Sequence, residues 1–438
     1  MNTRRTILKS QFVIGASASG SGKTTITLAL LKALGNRGLT VQPYKCGPDY
    51  IDPKYHTLAC GRESVNLDIF MGSPGHVRSL YADSCADADV CVTEGVMGLF
   101  DGYDKDCGSS ADIARLLEIP VILTVDARAA AYSAAPLLYG FANFRKGVNV
   151  AGVIFNRVAS ESHYSYLRQA ALDAGVTPLG FMPAQKDFSV PSRHLGLSLK
   201  HLNEYSPVID AMACNAEEHI DIDALLDLTR CPTPERQAWQ SGRNGKLKIA
   251  VTRDEAFNFT YKANIDRLAG AGSLEFFSPL QDTRLPEADL VYLPGGYPEF
   301  FLPQLSSNIS MLRAVSAYAS SGGRILAECG GMMYLCRTII SEDGRRWPVC
   351  GVLPLDATME GMRLHLGYRT VSAGDFSVRG HEFHYSSIIG NLPSVAVQRS
   401  AEGRAVDSPL YRVANVLAGY THLYWAETDP LLLFEYFK

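Results

Sequence analysis

The 438-residue sequence has no CxxC pair among its ten cysteines and no apolar run near the roughly 20 residues that span a bilayer. Scattered cysteines argue against a zinc site or a disulfide framework and fit thiols in a reducing cytosol. A formal net charge of −4 lacks the strong basic balance typical of nucleic-acid binders. Internal repeats and low-complexity tracts are also missing. We therefore expect a soluble, cytoplasmic globular protein with neither a membrane nor a nucleic-acid partner.

The length allows two hydrophobic cores, since single cores stop growing well below it. A polar stretch broken by Pro and Gly, residues 231–246, is interpreted as a linker. The sequence therefore predicts one domain at 1–230 and a second at 247–438.

The first half alternates short apolar runs with amphipathic stretches, which predicts a parallel sheet wrapped by helices. The N-terminus is basic and then apolar. Its apolar run is short and leads into a Gly-rich loop, so we interpret it as a strand and not as a signal peptide. Residues 23–34 have the spacing of a helix. The predicted strands are residues 12–15, 39–45, 90–93, 120–125 and 150–155.

The second half restarts the α/β alternation and then changes character after about residue 350. Short β-like runs there predict added antiparallel strands. The fold class expected for the whole chain is therefore α/β in two domains. The predicted strands of this half are residues 247–252, 274–277, 290–293, 324–327, 367–371, 382–385 and 413–420.

The segment SASGSGKT, which begins at Ser17, follows a strand and opens a helix, as a phosphate-binding loop does. Glycines let the backbone approach phosphates, and the helix N-terminus and a lysine supply positive charge. Ser17 stands where the strict pattern has Gly, so the loop is a variant. The residues predicted to bind ATP are Ser19, Gly20, Ser21, Gly22, Lys23, Thr24 and Thr25.

Carboxylates follow two neighbouring predicted strands, and ligands of open α/β sheets bind at the carboxyl ends of strands. Asp49, Asp52 and Glu94, with the Thr24 hydroxyl, suit Mg²⁺ bound to phosphates. The alternative is that they are turn residues. Of the other acids, loop solvation is expected for Asp101 and Asp104, and Asp126 either lines the site or caps a helix.

Cys329 lies between a buried strand and a helix, in the sequence AECGGMM. This layout lifts a nucleophile above the sheet and offers backbone N–H groups to an oxyanion. Gly330 and a second glycine pair, Gly295 and Gly296, are the expected donors. The helix N-terminus is expected to lower the pKa of the thiol.

A cysteine nucleophile needs a base, and four C-terminal histidines are candidates: His365, His381, His384 and His422. His422 follows an apolar strand and is the predicted base. A structural role is expected for His381 and His384. Cys336 and Cys350 lack the glycine elbow and are predicted to lie in the core.

Together these motifs resemble the cobyrinic acid a,c-diamide synthase family of the cobalamin pathway, in the family's order and over nearly the whole chain. The motifs are SASGSGKTT, KCGPDYIDPKYH, EGVMGLFDG, GVIFNRV, RHLGL, LPGGYPE, AECGGMMYL and GHEFHYS. The resemblance implies a dethiobiotin synthetase-like P-loop NTPase domain followed by a class I-like glutamine amidotransferase domain. The implied reaction uses ATP and L-glutamine to amidate the a- and c-carboxylates of cobyrinate through acyl phosphates.

By the same resemblance, Cys329 is the glutaminase nucleophile and His422 the residue that activates it. Asp49, Asp52 and Glu94 would handle Mg²⁺ and the phosphorylated intermediate, and Asn156 resembles an adenine-contacting Asn. Arg193 and His194 are candidate macrocycle contacts. Ordinary class I glutaminases carry His-Pro-Glu, whereas His422 is followed by Leu-Tyr. The third member of the usual triad is therefore missing, and what orients His422 stays open.

Three alternatives remain at this point. The first is the same reaction on hydrogenobyrinate or nickel sirohydrochlorin, because the sequence motifs determine neither the metal nor the macrocycle. Cobyric acid synthase is related, but KCGPDYIDP favours the a,c enzyme. A partitioning-type ATPase switch, which is not a biosynthetic enzyme, would share the phosphate loop but has no need of the Cys329 domain. The oligomeric state is also open, with a homodimer as one option.

Overall fold

The structure, a computed structural model, describes residues 8–185, 188, 202–235 and 245–438. The chain divides into two compact units, one of Met1–Ile69 with Ser73–Trp239 and one of Phe70–Gly72 with Gln240–Lys438. The boundary at residues 239–240 falls within the predicted linker. None of the helices in the described ranges is both long and apolar enough to cross a membrane.

The first unit is built on one sheet of eight strands in the order β3-β2-β4-β1-β5-β6-β7, with β8 paired to β1. Strands β1 to β7 are mutually parallel, and β8 runs antiparallel to β1. The strands are β1 Leu8–Ala16, β2 Val41–Cys46, β3 Val65–Leu67, β4 Val90–Glu94, β5 Val121–Asp126, β6 Val150–Val158, β7 Thr177–Pro183 and β8 Arg230–Pro232.

All five strands predicted in this half are confirmed. Their near-continuous apolar runs reflect burial on both faces of a parallel sheet, as at Phe12, Val13 and Ile14, which are fully buried. β3 and β8 are three residues long and were not predicted, and neither was β7. Because β8 uses Cys231 and Pro232, the sheet extends two residues into the predicted linker.

Helices cover both faces of this sheet, and the first of them extends the predicted helix by two residues. β1 lies between β4 and β5, where the strand order changes direction, and residues 17–22 connect β1 to α1. Ligands of such sheets bind at this switch point. The helices are α1 Lys23–Asn36, α2 Asp52–Cys60, α3 Pro74–Ser84, α4 Ser110–Leu117, α5 Ala134–Asn143, α6 Glu161–Asp173, α7 Ser206–His219 and α8 Ile222–Leu228.

The second unit has a central sheet in the order β10-β9-β11-β12-β22-β21, parallel except for β21. Its strands are β9 Leu247–Thr252, β10 Gly272–Phe277, β11 Leu290–Leu293, β12 Arg324–Glu328, β21 Leu410–Val413 and β22 Val416–Gly419. Here too the predicted runs of residues 247–252, 274–277, 290–293 and 324–327 are confirmed.

Two smaller sheets complete this unit, in the orders β14-β13-β15-β18 and β20-β19-β16-β17-β23. The predicted antiparallel strands of residues 367–371 and 382–384 lie in β16 and β17, although Tyr385 is outside β17. The strands are β13 Thr338–Ile340, β14 Arg346–Pro348, β15 Asp356–Thr358, β16 His365–Ala373, β17 Phe376–His384, β18 Ser387–Ile389, β19 Val397–Arg399, β20 Ala405–Val406 and β23 His422–Tyr424.

One predicted strand, residues 413–420, is wrong as a single element. The chain reverses at Ala414, whose φ of 50° lies in the left-handed region, and β21 and β22 pair antiparallel on either side. Alanine rarely adopts this conformation, so the turn signal in the sequence was limited to the following Asn415. The helices of this unit are α9 Lys262–Ala271, α10 Leu302–Ser307, α11 Ile309–Ser320, α12 Gly330–Leu335 and α13 Pro430–Tyr436.

Candidate active sites

The phosphate loop connects β1 to α1, and two of its glycines have backbone angles that favour glycine. Gly20 has a φ of 77° and Gly22 a φ of 97°. A Cβ on Gly22 would also lie 1.9 Å from Nδ2 of Asn156. α1 begins at the next residue, Lys23, so its unpaired N–H groups face the loop. Local geometry is therefore that of an anion site at a helix N-terminus.

Two residues at the end of β6 hold the carbonyl groups of this loop. Nδ2 of Asn156 donates to the Ser21 carbonyl oxygen at 2.9 Å, and Nη1 of Arg157 donates to that of Gly20 at 2.9 Å. Asn156 was predicted as an adenine contact, and the structure shows it beneath the loop. Arg157 was not predicted, although it follows Asn156 in GVIFNRV.

Asp126, at the end of β5, borders the loop through an arginine. Its Oδ2 accepts from Nη1 of Arg157 at 2.6 Å and from Nη2 of Arg128 at 2.8 Å. α5 begins only at Ala134 and has Ser133 as its N-cap. Of the two predicted roles, the structure favours lining the site.

Glu94 lies fully buried at the end of β4 and is adjacent to Thr24. The Thr24 hydroxyl donates to Oε1 of Glu94 at 2.7 Å, and Nε2 of His56 lies 2.6 Å from Oε2. Nδ1 of His56 is in turn 3.0 Å from the Ser64 hydroxyl. His56 was not predicted as a site residue, although it ends the motif KCGPDYIDPKYH.

A lysine that was not predicted lies among the three predicted metal ligands. Nζ of Lys45 is 2.5 Å from Asp52, 2.9 Å from Glu94 and 3.9 Å from Asp49. Burial favours a neutral amine, but the charges of Asp52, Glu94 and Asp49 outweigh it and raise the pKa of Lys45. Burial disfavours the Glu94 carboxylate, but Lys45 and then His56 lower its pKa below the ordinary value. The cluster is therefore a charged, mutually compensated group.

These contacts change which residues fit a magnesium ion. Across the described ranges, no three His, Cys, Asp or Glu side chains are arranged to hold a metal. Asp52 binds Lys45, and Oδ1 of Asp49 accepts from the backbone N–H groups of Ile51 and Asp52. Glu94 also contacts Lys45 and His56, but it is the carboxylate that is hydrogen-bonded to Thr24, in the first turn of α1 beside the phosphate loop. This pair fits Mg²⁺, which takes one or two protein ligands together with phosphate oxygens and water.

The remaining residues predicted near this site are placed as follows. Ser19 is exposed on the loop, and Thr25 is in the first turn of α1. Nζ of Lys23 donates to the carbonyl of Met97, in the segment EGVMGLFDG. Asp101 closes that segment by accepting from Gly98 N, and Asp104 forms a β-bridge with Cys107. Arg193 and His194 lie outside the described residues.

In the second unit, Cys329 occupies a sharp turn between β12 and α12. Its φ of 48° and ψ of −110° are unusual for a residue with a side chain and mark a strained elbow. The Cys329 N–H donates to the Gly419 carbonyl at the end of β22, at 2.8 Å. The predicted strand–elbow–helix layout is present, and it places the thiol where β12 and β22 end.

The flanking glycines allow close packing around the elbow. A Cβ on Gly331 would lie 2.1 Å from the Leu293 carbonyl oxygen, and one on Gly330 would lie 3.1 Å from Gly296 N. A Cβ on Gly295 would lie 2.3 Å from Cε1 of His422. The structure therefore brings the predicted oxyanion glycines together, with Gly295 against the imidazole of His422.

His422 begins β23 and stacks on His381 of the paired strand β17. The ring centroids are 5.1 Å apart and the planes differ by 19°. Nδ1 of His381 lies 2.7 Å from the Tyr261 hydroxyl, which fixes that ring. His381, for which only a structural role was expected, therefore contacts the predicted base directly.

The expected lowering of the Cys329 pKa is wrong for this conformation. Burial is the main cause that raises the pKa of the thiol, and the nearby carboxylate of Glu299 adds to it. Only 5% of Cys329 is exposed, and its helix has just six residues. Burial also lowers the pKa of His422 well below its ordinary value, helped by His381 and His384. Both groups are therefore neutral at neutral pH.

Glu328 was not predicted, and it fixes the strand that carries His422. Its Oε1 accepts from Leu423 N at 3.0 Å and its Oε2 from the Tyr292 hydroxyl at 2.8 Å. Burial raises the pKa of Glu328 to about 8. This side chain and the stacked His381 supply the orientation that the missing third triad member left unexplained. The only sequence signal was a charged residue inside an apolar strand.

The other two histidine candidates lie next to each other. Nδ1 of His384 donates to the Ser386 carbonyl at 2.9 Å, and the His384 ring stacks on Tyr420. The ring centroid of His365, on the other strand of the hairpin, is 4.8 Å from that of His384. Burial lowers the pKa of His384 to about 4. Cys336 and Cys350 are buried in the core, as predicted.

Comparison with known proteins gives two matching families, one for each part of the chain. Residues 12–197 match the CobQ/CobB/MinD/ParA nucleotide binding domain. Residues 248–430 match the CobB/CobQ-like glutamine amidotransferase domain. The phosphate loop falls in the first match, and Cys329 and His422 fall in the second.

Three curated relatives match over almost their full length. The chain is 39% identical to a cobyrinate a,c-diamide synthase of Salmonella typhimurium, covering 96% of each chain. It is 38% identical to a cobyrinate a,c-diamide synthase of Picrophilus torridus, covering 94% of this chain and 95% of the relative. It is 40% identical to a hydrogenobyrinate a,c-diamide synthase of Brucella suis, covering 94% and 98%. At this identity and coverage, the chain belongs to the cobyrinate and hydrogenobyrinate a,c-diamide synthase family.

Proposed function

We propose that the protein uses ATP and L-glutamine to amidate the a- and c-carboxylates of cobyrinate. The observation that carries the proposal is the presence of two separate sites in one chain, a phosphate loop beside Thr24 and Glu94 and a strained Cys329 beside a glycine pair. The names of the relatives support cobyrinate as substrate. A nucleotide switch would need only the first site.

The proposed synthetase domain comprises residues 1–230. It transfers the γ-phosphoryl group of ATP to a carboxylate of the substrate. This step gives an acyl phosphate and ADP, because a free carboxylate is a poor acyl donor. The loop from Ser19 to Thr25 binds the phosphates, and Asn156 and Arg157 position that loop. Thr24 and Glu94 would hold Mg²⁺, which neutralises phosphate charge when bound. Asp49 and Asp52 act through Lys45, whose ammonium they keep charged.

In the second unit, the proposed amidotransferase domain of residues 247–438 releases ammonia from glutamine. His422 accepts the Cys329 proton, and the thiolate attacks the amide carbon. N–H groups of Gly296 and Gly330 stabilise the oxyanion. His422 returns the proton to the leaving nitrogen, and water then hydrolyses the thioester to glutamate. The ammonia attacks the acyl phosphate and displaces phosphate.

The test is to incubate the protein with ATP, glutamine and one macrocycle, and to count the amides by mass spectrometry. Two amides on cobyrinate are expected, and none or four would overturn the proposal. Cys329→Ala should lose glutamine-dependent synthesis and keep synthesis from added ammonium, while Cys214→Ser, at an exposed cysteine, should change neither. Loss of both activities in Cys329→Ala would contradict the division of labour.

Hydrogenobyrinate is a second candidate, because the Brucella suis relative is named for it at similar identity. Parallel reactions with hydrogenobyrinate and nickel sirohydrochlorin decide the ring. We also infer a cytoplasmic location, which the ten free cysteines support. A homodimer is one assembly that size-exclusion chromatography with light scattering would detect.

A further inference from the structure

Glu299 lies beside the proposed glutaminase elbow and lines a small cavity next to it. It belongs to a single 3-10 turn, Pro298–Phe301, that follows the glycine pair Gly295 and Gly296. A Cβ on Gly330 would lie 2.7 Å from Cδ of Pro298, so this turn packs against the residue after Cys329. The cavity is lined by Gly296, Tyr297, Glu299, Met333, His384 and Ser386, among others.

Other carboxylates near Cys329 already have partners. Glu328 accepts from Leu423 N and the Tyr292 hydroxyl. Glu382 accepts from Arg369 at 2.9 Å and from the hydroxyls of Thr421 and Ser408. Within the described part of the chain, the Glu299 carboxylate is hydrogen-bonded to its own backbone N–H and has no cationic partner.

Glu299 is half-buried, and a carboxylate without a cationic partner in such a place is unfavourable unless a ligand compensates its charge. Burial raises the pKa of Glu299 to about 7, and its charge reaches Cys329 and raises the pKa of that thiol. A cation bound at Glu299 would offset both effects. Gly296, a proposed oxyanion donor, is part of the cavity wall, so the cavity lies next to the place where the glutamine amide would bind.

We propose that Glu299 binds the α-ammonium group of glutamine and selects the free amino acid over amides that lack this group. The inference rests on the proposed glutaminase function. A charge-assisted hydrogen bond of this kind contributes about 1.5–3 kcal/mol, which corresponds to a change of roughly ten- to hundred-fold in kcat/KM. Burial keeps His384 neutral, so Glu299 is the charged residue among those that line the cavity.

The test compares glutamine with glutaramate, which has the same amide and carboxylate but no α-amino group. Glu299→Gln should lower kcat/KM for glutamine about ten- to hundred-fold, mainly by raising KM. The kcat/KM for glutaramate should stay within about two-fold of the wild-type value. Glu435→Gln, at an exposed position of α13, is the matched control and should change neither. Ammonium-driven amidation should be unchanged, which reports that the variant is folded.

An unchanged KM for glutamine in Glu299→Gln would overturn the proposal. An equal loss on glutamine and glutaramate would also overturn it, because it would assign Glu299 to the chemistry or the fold. If glutaramate hydrolysis is below detection, its inhibition constant against glutamine replaces it and should be equal in both enzymes. Failure of the glutaminase function itself is a different result, namely glutamine hydrolysis that survives Cys329→Ala.

Discussion

The imidazole of His381 stacks on that of His422, with ring centroids 5.1 Å apart. The two residues face each other in the register of β17 and β23, so the contact follows from strand pairing. Tyr261 fixes His381 through a 2.7 Å hydrogen bond to Nδ1. The proposed base is thus oriented by its neighbour's ring, since the usual acidic partner does not follow it in sequence.

Removing the Tyr261 hydroxyl should loosen this stack. Tyr261→Phe is expected to lower glutamine-dependent activity about two- to ten-fold, the range for one net hydrogen bond, while ammonium-dependent synthesis stays constant. Steady-state rates with each nitrogen source provide the measurement. Tyr436→Phe, at an exposed tyrosine, is the control. Equal losses with glutamine and ammonium would contradict a role through His422.

Arg157 should support ATP binding by holding the phosphate loop. Arg157→Met removes the bonds to the Gly20 carbonyl and to Asp126, and should raise KM for ATP about ten-fold. Arg128→Met is a matched control, because Arg128 also binds Asp126 but is not bonded to the loop. An identical KM in the two variants would show that Asp126 pairing alone matters.

Lys45 compensates three carboxylates, and its loss should destabilise the first unit. Lys45→Met leaves Asp52 and Glu94 buried near each other without the ammonium group that pairs with both, which should lower the free energy of unfolding by about 3–5 kcal/mol. Urea denaturation monitored by far-UV circular dichroism measures this free energy of unfolding. Adding Asp52→Asn should recover part of the loss. Full stability in Lys45→Met would contradict this account of the cluster.

Glu328 should give stability a dependence on pH that a glutamine removes. The pKa of Glu328 is raised by burial to about 8, whereas glutamate in an unfolded chain titrates near about 4.3. Between these values the folded protein keeps a proton that the unfolded chain releases. The contribution of Glu328 to the free energy of unfolding therefore falls as the pH rises from about 4.3 to about 8, and it is constant above about pH 8.

Glu328→Gln keeps an oxygen for Leu423 N and has no charge to bury. The melting temperature of the variant relative to wild type should increase as pH rises from 5 to about 8. Thermal melts at several pH values measure this difference. Glu435→Gln, on the surface, should show none. A difference that does not vary with pH would mean that Glu328 is already ionised in the folded protein.

Sequence patterns predicted the parts of the fold that depend on local chemistry. Apolar runs located most of the parallel strands but not β3 or β7, and glycines located the phosphate loop and the Cys329 elbow. Lys45 was missed because its role depends on three carboxylates that meet only when β2 and β4 pair. The reversal at Ala414 was missed because alanine has no turn preference and Asn415 stood alone within an apolar run. The thiol pKa was predicted from a helix end, whereas burial and Glu299, both tertiary effects, determine its direction.

The pairing of β12 with β22 also has a consequence for protein synthesis. Cys329 is anchored to Gly419, and His422 follows that strand, so the proposed nucleophile leaves the ribosome long before its proposed base. Domains fold as units during translation, and the central sheet of this unit cannot close without β22. If Cys329 and His422 act as proposed, we expect a nascent chain that exposes only Cys329 to be inert toward glutamine. Hydrolysis is then expected only in chains long enough to complete the sheet.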